Sequence, residues 1–109
     1  MSYKVQSIAV FEKQAKRLLK KYASLKNELL ELVQSLKENP LQGTPIGQSC
    51  YKIRVPIASK GKGKRGGARV VTNFVVTDET VYLLSIYDKA DKENLTNKEL
   101  EELLTFIPV

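Results

Sequence analysis

Apolar residues in the first third of the chain change from a period of two to a period of three to four. Residues 3–8 alternate, which predicts a short strand. Two apolar stripes at helical spacing follow, at residues 11–22 and 25–36. Ser24 stands in an N-cap position before the second stripe, which stops at Asn39 and Pro40. We therefore expect a strand and then a tight hairpin of two amphipathic helices.

The pattern after this hairpin is typical of a loop followed by three strands. Residues 40–49 are rich in glycine and proline, which predicts a loop. Apolar residues then favour strands at 51–57, 69–76 and 81–87. A short turn joins the last two into an antiparallel hairpin. The dense apolar content of the middle strand predicts that it is central and covered on both sides.

The last element carries the clearest helix signals in the chain. Thr96 and Glu99 have the spacing of a capping box, and Leu95 and Leu100 occupy the two positions of a hydrophobic staple. The helix is expected at residues 97–106. The predicted order is β-α-α-β-β-β-α, an α+β fold in which an N-terminal helical hairpin and a C-terminal helix cover one face of an antiparallel sheet.

Length and cysteine content predict one intracellular domain. The 109 residues suffice for one packed core, so residues 1–109 are expected to form a single domain. Cys50 has no second cysteine to pair with and lies in an apolar run, which favours a buried thiol in a reducing compartment. No apolar run approaches the ~18 residues of a membrane span, and residues 1–10 have no signal-peptide pattern. We expect a cytoplasmic protein without a membrane partner.

Charge is unevenly distributed along the sequence. Residues 1–38 carry a net charge of +4, residues 39–77 carry seven cations and no carboxylate, and residues 78–109 carry −5. A concentrated positive segment favours a polyanionic partner such as a nucleic-acid backbone. The scattered lysines of the first helix are interpreted as solubilising. Because the chain has no histidine, any acid-base chemistry must use lysine, arginine, tyrosine or carboxylates.

The strand pattern indicates a candidate site for phosphodiester chemistry. Lys52 and Arg54 project from one face of their strand, roughly 7 Å apart. Arg69 begins the next strand, and Tyr87 and Lys89 end the last one. Strand pairing would gather these four cations and the phenol on one exposed face. There cations can stabilise a charged transition state, a desolvated lysine can act as a base, and Tyr87 can stack on a nucleobase.

Two features of this segment remain open to other interpretations. Lys52 and Arg54 also fit the solvent face of an amphipathic strand. The segment that contains the glycine-spaced cations Lys60, Lys62, Lys64 and Arg65 matches G-x-G-x-x-G by letter, but the pattern that follows favours a strand and not a helix, which argues against a dinucleotide fingerprint. We expect these four to contact RNA phosphates without reading bases. No cluster of metal ligands is apparent, and no cofactor is expected.

Three short stretches resemble the RelE/ParE superfamily of bacterial type II toxin-antitoxin systems, and most closely its RelE and HigB-type mRNA interferases. They are residues 50–54 (CYKIR), 66–71 (GGARVV) and 81–89 (VYLLSIYDK). The resemblance implies a RelE-like fold and a toxin that cleaves mRNA on the ribosome without a metal. The ribose 2′-hydroxyl would attack the adjacent phosphate, and a cognate antitoxin would neutralise the toxin.

The same resemblance suggests residue roles. Lys52 and Arg54 match the family's basic pair, Arg69 matches its phosphate-binding arginine, and Lys89 stands where RelE has an arginine. A family tyrosine falls at Leu95, so its role is lost or passes to Tyr87, and the general base is left open. The alternatives are a ParE-like gyrase inhibitor and a noncatalytic nucleic-acid-binding module.

Overall fold

A computed structural model describes residues 2–60 and 67–108 of the chain, except for the side chain of Lys60. The helices and strands within these ranges are, in chain order, β1 (Lys4–Ser7), α1 (Ala9–Lys21), α2 (Leu25–Glu38), β2 (Thr44–Gly47), β3 (Cys50–Val55), β4 (Ala68–Val75), β5 (Thr80–Asp88) and α3 (Asn97–Leu104). The predicted RNA contacts of Lys60, Lys62, Lys64 and Arg65 fall on side chains outside the described part. The observed order adds one strand to the predicted order.

The five strands form one mixed sheet in the order β1-β5-β4-β3-β2. The predicted hairpin of β4 and β5 is confirmed, and β4 lies at the centre as expected. The prediction of a purely antiparallel sheet is wrong at one edge, because β1 pairs with β5 in parallel, with Val5 opposite Val81. Apolar alternation carries no information on strand direction. A parallel pair needs a long connection, which the intervening helices and strands supply.

The extra strand, β2, lies within the segment that was predicted to be a loop. It pairs antiparallel with β3 at the sheet edge and contains an irregularity between Pro45 and Gly47. Proline is tolerated there because an edge strand leaves some of its backbone groups unpaired. Gly43 and Gly47 adopt positive φ angles of 100° and 93°, which bend the chain on either side of the strand. The glycine and proline content of this segment therefore predicts a loop, although the segment contains a short edge strand with a sharp bend on either side.

The helical hairpin covers one face of the sheet. Ile53, Val70 and Ile86 are paired across β3, β4 and β5 and are buried on this face. At the end of α1, the Tyr22 hydroxyl donates to Asp88 Oδ2 at 2.6 Å, and Asp88 shares the face of Ile86 by strand alternation. α1 and α2 therefore pack over the face of the sheet that carries Ile53, Val70 and Ile86.

α3 covers the opposite face, so the prediction that all helices share one face is wrong. Leu95 and Leu100, at the start of α3, line a small cavity together with Val71 and Tyr87 of the sheet. These two sheet residues alternate with Val70 and Ile86 and so point away from the helical hairpin. The apolar stripe of α3 predicts burial but does not specify the face that receives it.

The helix ends agree only partly with the sequence. The capping box of α3 is confirmed, with Thr96 Oγ1 accepting from the Glu99 amide at 3.1 Å and Glu99 Oε1 accepting from the Thr96 amide at 2.9 Å. Ser24 forms no side-chain cap, because its backbone is already helical and its hydroxyl donates to Glu28 Oε1 at 3.0 Å. Cys50 is buried as expected, and burial raises the pKa of its thiol.

α3 ends at Leu104, two residues before the predicted end, and Phe106 beyond it is exposed. Within residues 2–60 and 67–108, no helix is both long enough and apolar enough to cross a membrane.

Candidate functional site

Three of the predicted site residues stand in one row across the sheet. Arg54 of β3 is directly opposite Arg69 of β4, and Arg69 is directly opposite Tyr87 of β5. Neighbouring strands lie about 4.7–4.9 Å apart, so the three side chains leave the same face as close neighbours. Lys52 lies two residues along β3 on that face, in the row of Val71 and Ser85. The expected gathering on one face is therefore confirmed for three of the four cations and for the phenol, whereas Lys89 lies beyond the end of β5.

The face is not fully exposed, and the prediction is wrong on this point. Arg54 is exposed, but Arg69 is only 4% exposed and Tyr87 only 7%. Cover over Tyr87 comes from Leu95, before α3, and Leu100, within it, which border a cavity of about 50 Å³ beside Tyr87. The site thus has an exposed cation at one end of the row and a buried phenol at the other.

Gly67 allows the strands to close beside Arg69. A Cβ atom at Gly67 would lie 2.1 Å from the Val55 carbonyl oxygen, a separation that no side chain can adopt. The Gly67 carbonyl also accepts a hydrogen bond from the backbone N–H of Lys89 at 3.2 Å. Glycine at this position therefore sets the spacing of the two strands that carry Arg54 and Arg69, and it ties the start of β4 to the end of β5.

The buried row has polar groups of different kinds. Arg69 Nη1 donates to the Ala68 carbonyl at 3.0 Å. The Tyr87 hydroxyl is buried, and within the described part of the chain it has no hydrogen-bond partner. Burial raises the pKa of Tyr87, the Arg69 charge opposes this shift, and the Glu99 carboxylate adds to it. Tyr87 is therefore a neutral phenol at physiological pH, with a proton available for donation.

Lys52 and Lys89 flank the row. The Lys52 ammonium donates to Asn94 Oδ1 at 2.7 Å, which links β3 to the segment before α3. Lys89 is exposed just after the end of β5. Sequence reasoning missed Asn94, because it lies in a polar turn with no local pattern that indicates a contact 42 residues away.

Asp88, next to this site, holds the end of β5 in place through hydrogen bonds. Its carboxylate accepts from the Tyr22 hydroxyl and, at 3.0 Å, from the Ala90 amide. These contacts fix the turn that follows β5 and hold it against the end of α1. Among the described residues, no group of three or more His, Cys, Asp or Glu side chains could hold a metal ion.

The start of the predicted basic loop is anchored to α2. The backbone N–H of Ala58 donates to Glu28 Oε2 at 2.7 Å, and that of Ser59 donates to the Ser24 hydroxyl at 2.9 Å. These bonds fix the 3-10 turn Ala58–Lys60, from which the chain leaves the described part. The pairing of Val55 with Ala68 brackets the same segment between β3 and β4.

Comparison with known protein families identifies the family to which this chain belongs. Residues 6–107 match the family model described as the RelE toxin of the RelE/RelB toxin-antitoxin system. The chain belongs to the RelE toxin family. The match covers nearly the whole sequence, including every strand of the candidate site, so the resemblance noted from three short stretches is confirmed.

Solved structures show that the RelE fold is kept at low sequence identity. A double mutant of Escherichia coli toxin RelE in the free state aligns with a TM-score of 0.62 and 17% identity, covering 99% of this chain and 100% of that one. The RelBE2 toxin-antitoxin complex from Mycobacterium tuberculosis gives 0.60 and 18%, covering 84% and 95%. Isolated E. coli RelE toxin gives 0.58 and 16%, covering 97% and 100%.

Proposed function

We propose that this RelE-family toxin is a ribosome-dependent mRNA endoribonuclease that inhibits translation. The observation that carries the proposal is the row of Arg54, Arg69 and Tyr87 across three paired strands, with Lys52 and Lys89 beside it. The register places two guanidinium groups on one face of the sheet, on neighbouring strands and within reach of one phosphodiester, which supports a role in binding RNA.

The proposed reaction is an internal transesterification. The 2′-oxygen of a ribose bonds to the adjacent phosphorus, the bond from phosphorus to the 5′-oxygen breaks, and the 2′-hydroxyl proton leaves while the 5′-oxygen gains one. The products are a 2′,3′-cyclic phosphate and a 5′-hydroxyl. Negative charge increases on the phosphoryl oxygens in the transition state, so preorganised guanidinium and ammonium groups lower the barrier.

Each residue of the row has a distinct proposed role. Arg54 and Lys52 bind the substrate phosphate from the accessible side, and Arg69 supplies a fixed charge beneath it. Tyr87 donates a hydrogen bond, because its pKa is raised and its hydroxyl is unpaired within the described residues. Lys89 contacts the RNA backbone at the edge of the site. A base role for Tyr87 is disfavoured by the same pKa shift, so the general base stays open between Lys52 and Lys89.

The proposed chemistry uses no metal or cofactor. The sequence has no histidine, and the described residues include no cluster of ligands suited to a cation. Two cationic side chains and a phenol within one row can perform the charge stabilisation that a metal supplies elsewhere.

The proposed partners follow from the family. The M. tuberculosis relative was solved as a toxin-antitoxin complex, and we propose a cognate antitoxin for this chain also. Ribosomes and mRNA would be its targets in the cytoplasm, and a HigB-type cleavage mode stays a prediction. The cationic row weighs against a ParE-like gyrase inhibitor, which needs no convergent cations, and against a simple binding module, which needs no buried phenol.

The decisive test is inducible expression in bacteria with mapping of mRNA 5′ ends. We expect new 5′-hydroxyl ends within translated regions, and their loss in the Arg54→Gln variant. Lys26→Gln, an equal change of charge on the exposed side of α2, is the matched control. Growth arrest without new mRNA ends would contradict the proposal and favour a gyrase target.

A further inference from the structure

The cations of α1 form one groove in the folded protein. Lys13, Lys16, Arg17 and Lys20 line a single open depression with Val10 and Gln14. All four cations are exposed, and within the described part of the chain none of them pairs with a carboxylate. The sequence has no acidic residue between Glu12 and Glu28. The structure thus gathers into one surface, with Arg17, three of the four lysines of α1 that sequence alone suggests are solubilising; the fourth, Lys21, does not line the groove.

The groove is connected to the candidate site. Val10 and Gln14 also line a second cavity, of about 360 Å³, which includes Ser85 and Tyr87 of β5. Gln14 Oε1 accepts from the Ile86 backbone N–H and from the Ser85 hydroxyl, each at 3.0 Å. α1 is therefore fixed against the part of β5 that extends beyond its pairing with β1. Between the α1 cations and the buried phenol, Glu99 and Glu102 of α3 also line this second cavity.

We infer that this α1 groove binds the phosphate backbone of RNA outside the cleaved dinucleotide. Cations three and four residues apart on a helix lie about 5–6 Å from one another, so the four span about 10 Å along the axis. The lining residues in this described region include no aromatic ring for base stacking and no series of apolar anchors for a partner helix. Backbone phosphates fit such a surface better than bases or an amphipathic protein segment.

This inference rests on the proposed function and deepens it, since it gives the nuclease a second RNA contact that holds the substrate complex without reading its sequence. The occupant we propose is a base-paired segment of ribosomal RNA, because a cleaved strand that ran from the groove to the site would pass the carboxylates of Glu99 and Glu102. The cleaved strand offers the same phosphate chemistry, so the experiment must separate the two.

The test compares two triple variants of equal charge. The first is Lys13→Gln, Lys16→Gln and Lys20→Gln in the groove. The control is Lys4→Gln, Lys26→Gln and Lys37→Gln, which lie outside it. Glutamine and lysine have similar helix propensities, so α1 should remain folded. Thermal unfolding checks this, and the single variants Lys16→Gln and Lys20→Gln replace the triple if it is destabilised.

The measurement is affinity against salt for four uncleavable probes: a short and a long 2′-O-methyl RNA strand, a base-paired RNA hairpin and the small ribosomal subunit. We expect the slope of log K to become shallower by about 0.7 per contact on a single strand or 0.9 on a duplex, so by about 2 to 3 in total. The control triple should keep the wild-type slope. A loss confined to the hairpin and the subunit supports ribosomal RNA, and a loss confined to the long strand would overturn this assignment in favour of the cleaved RNA.

Failure of the inference can be distinguished from failure of the proposed function. Equal slopes for both triples would overturn the inference, even if cleavage by the wild type is normal. So would a groove variant that loses affinity only for a coexpressed antitoxin, because the groove would then be a protein-binding surface. A wild-type protein that binds RNA through the groove but never cleaves it would overturn the proposed function alone.

Discussion

Arg54 and Arg69 are directly opposed on neighbouring antiparallel strands, one exposed and the other only 4% exposed. The exposed arginine can move to meet a ligand, whereas the buried one is fixed by its surroundings. This division suits a phosphate site in which one cation captures the substrate and the other is preorganised for the transition state.

The first prediction concerns the buried arginine. Arg69→Ala should lower cleavage by roughly 10²-fold or more, by analogy with removal of one oxyanion-hole donor. It should also lower the free energy of unfolding by roughly 1–3 kcal/mol, because the side chain is almost fully buried. Cleavage on purified ribosomes and chemical denaturation measure the two effects. A variant that stays folded and cleaves like the wild type would remove Arg69 from the proposed mechanism.

The second prediction concerns the unpaired hydroxyl of Tyr87. Tyr87→Phe removes a buried polar atom without a described partner, so stability at pH 7 should be unchanged or higher. Cleavage should fall if the phenol donates a hydrogen bond to the phosphate. Normal cleavage by a folded Tyr87→Phe protein would leave the phenol with a packing role only.

The raised pKa of Tyr87 adds a dependence on pH. In the folded state the phenol holds its proton to higher pH than in the unfolded chain, where its pKa is about 10. The stability that this shift contributes is fully present below that value and is lost as pH rises above it toward the folded pKa. The wild type should therefore lose unfolding free energy faster than Tyr87→Phe above about pH 10. Parallel curves would contradict the shift.

A third prediction tests the close approach at Gly67. Gly67→Ala places a Cβ atom 2.1 Å from the Val55 carbonyl oxygen, so the strands must separate. We expect a loss of roughly 3 kcal/mol or more in unfolding free energy, at the upper end for single substitutions. Gly47→Ala is the matched control. It has φ of +93° but no neighbour within 4 Å, and should cost only about 1–2 kcal/mol. Similar costs at both glycines would contradict the steric argument.

Local patterns predict most of the elements and little of their arrangement. Thr96 and Glu99 sit three residues apart, so their capping box depends on local geometry and is correctly anticipated. The parallel pairing of β1 with β5 depends on residues about 76 positions apart, as in Lys4 and Thr80, and alternation does not encode direction. The sheet face against which α3 packs is likewise determined by contacts between residues that are distant in sequence.

In the candidate site, too, the local features can be predicted from sequence and the nonlocal ones cannot. Lys52 and Arg54 share a face because strand side chains alternate, and this is readable from sequence. Tyr87 lies against the segment at Leu95, which folds over the sheet from outside the strands, so its burial has no local signal. The link from Lys52 to Asn94 has no local signal for the same reason.

The last prediction concerns the basic segment Lys60, Lys62, Lys64 and Arg65. Four cations, glycine spacing and the absence of acids from residues 39–77 favour phosphate contacts without base readout. Replacing all four with glutamine should make the salt slope for single-stranded RNA shallower by up to about 0.7 per contact, close to 3 in total, while cleavage sites stay the same. The Lys4, Lys26 and Lys37 triple again serves as the control, and the change in salt slope is compared per substituted lysine or arginine. An unchanged slope would assign the segment to the antitoxin or to solvent, whereas shifted cleavage sites would mean that it reads sequence.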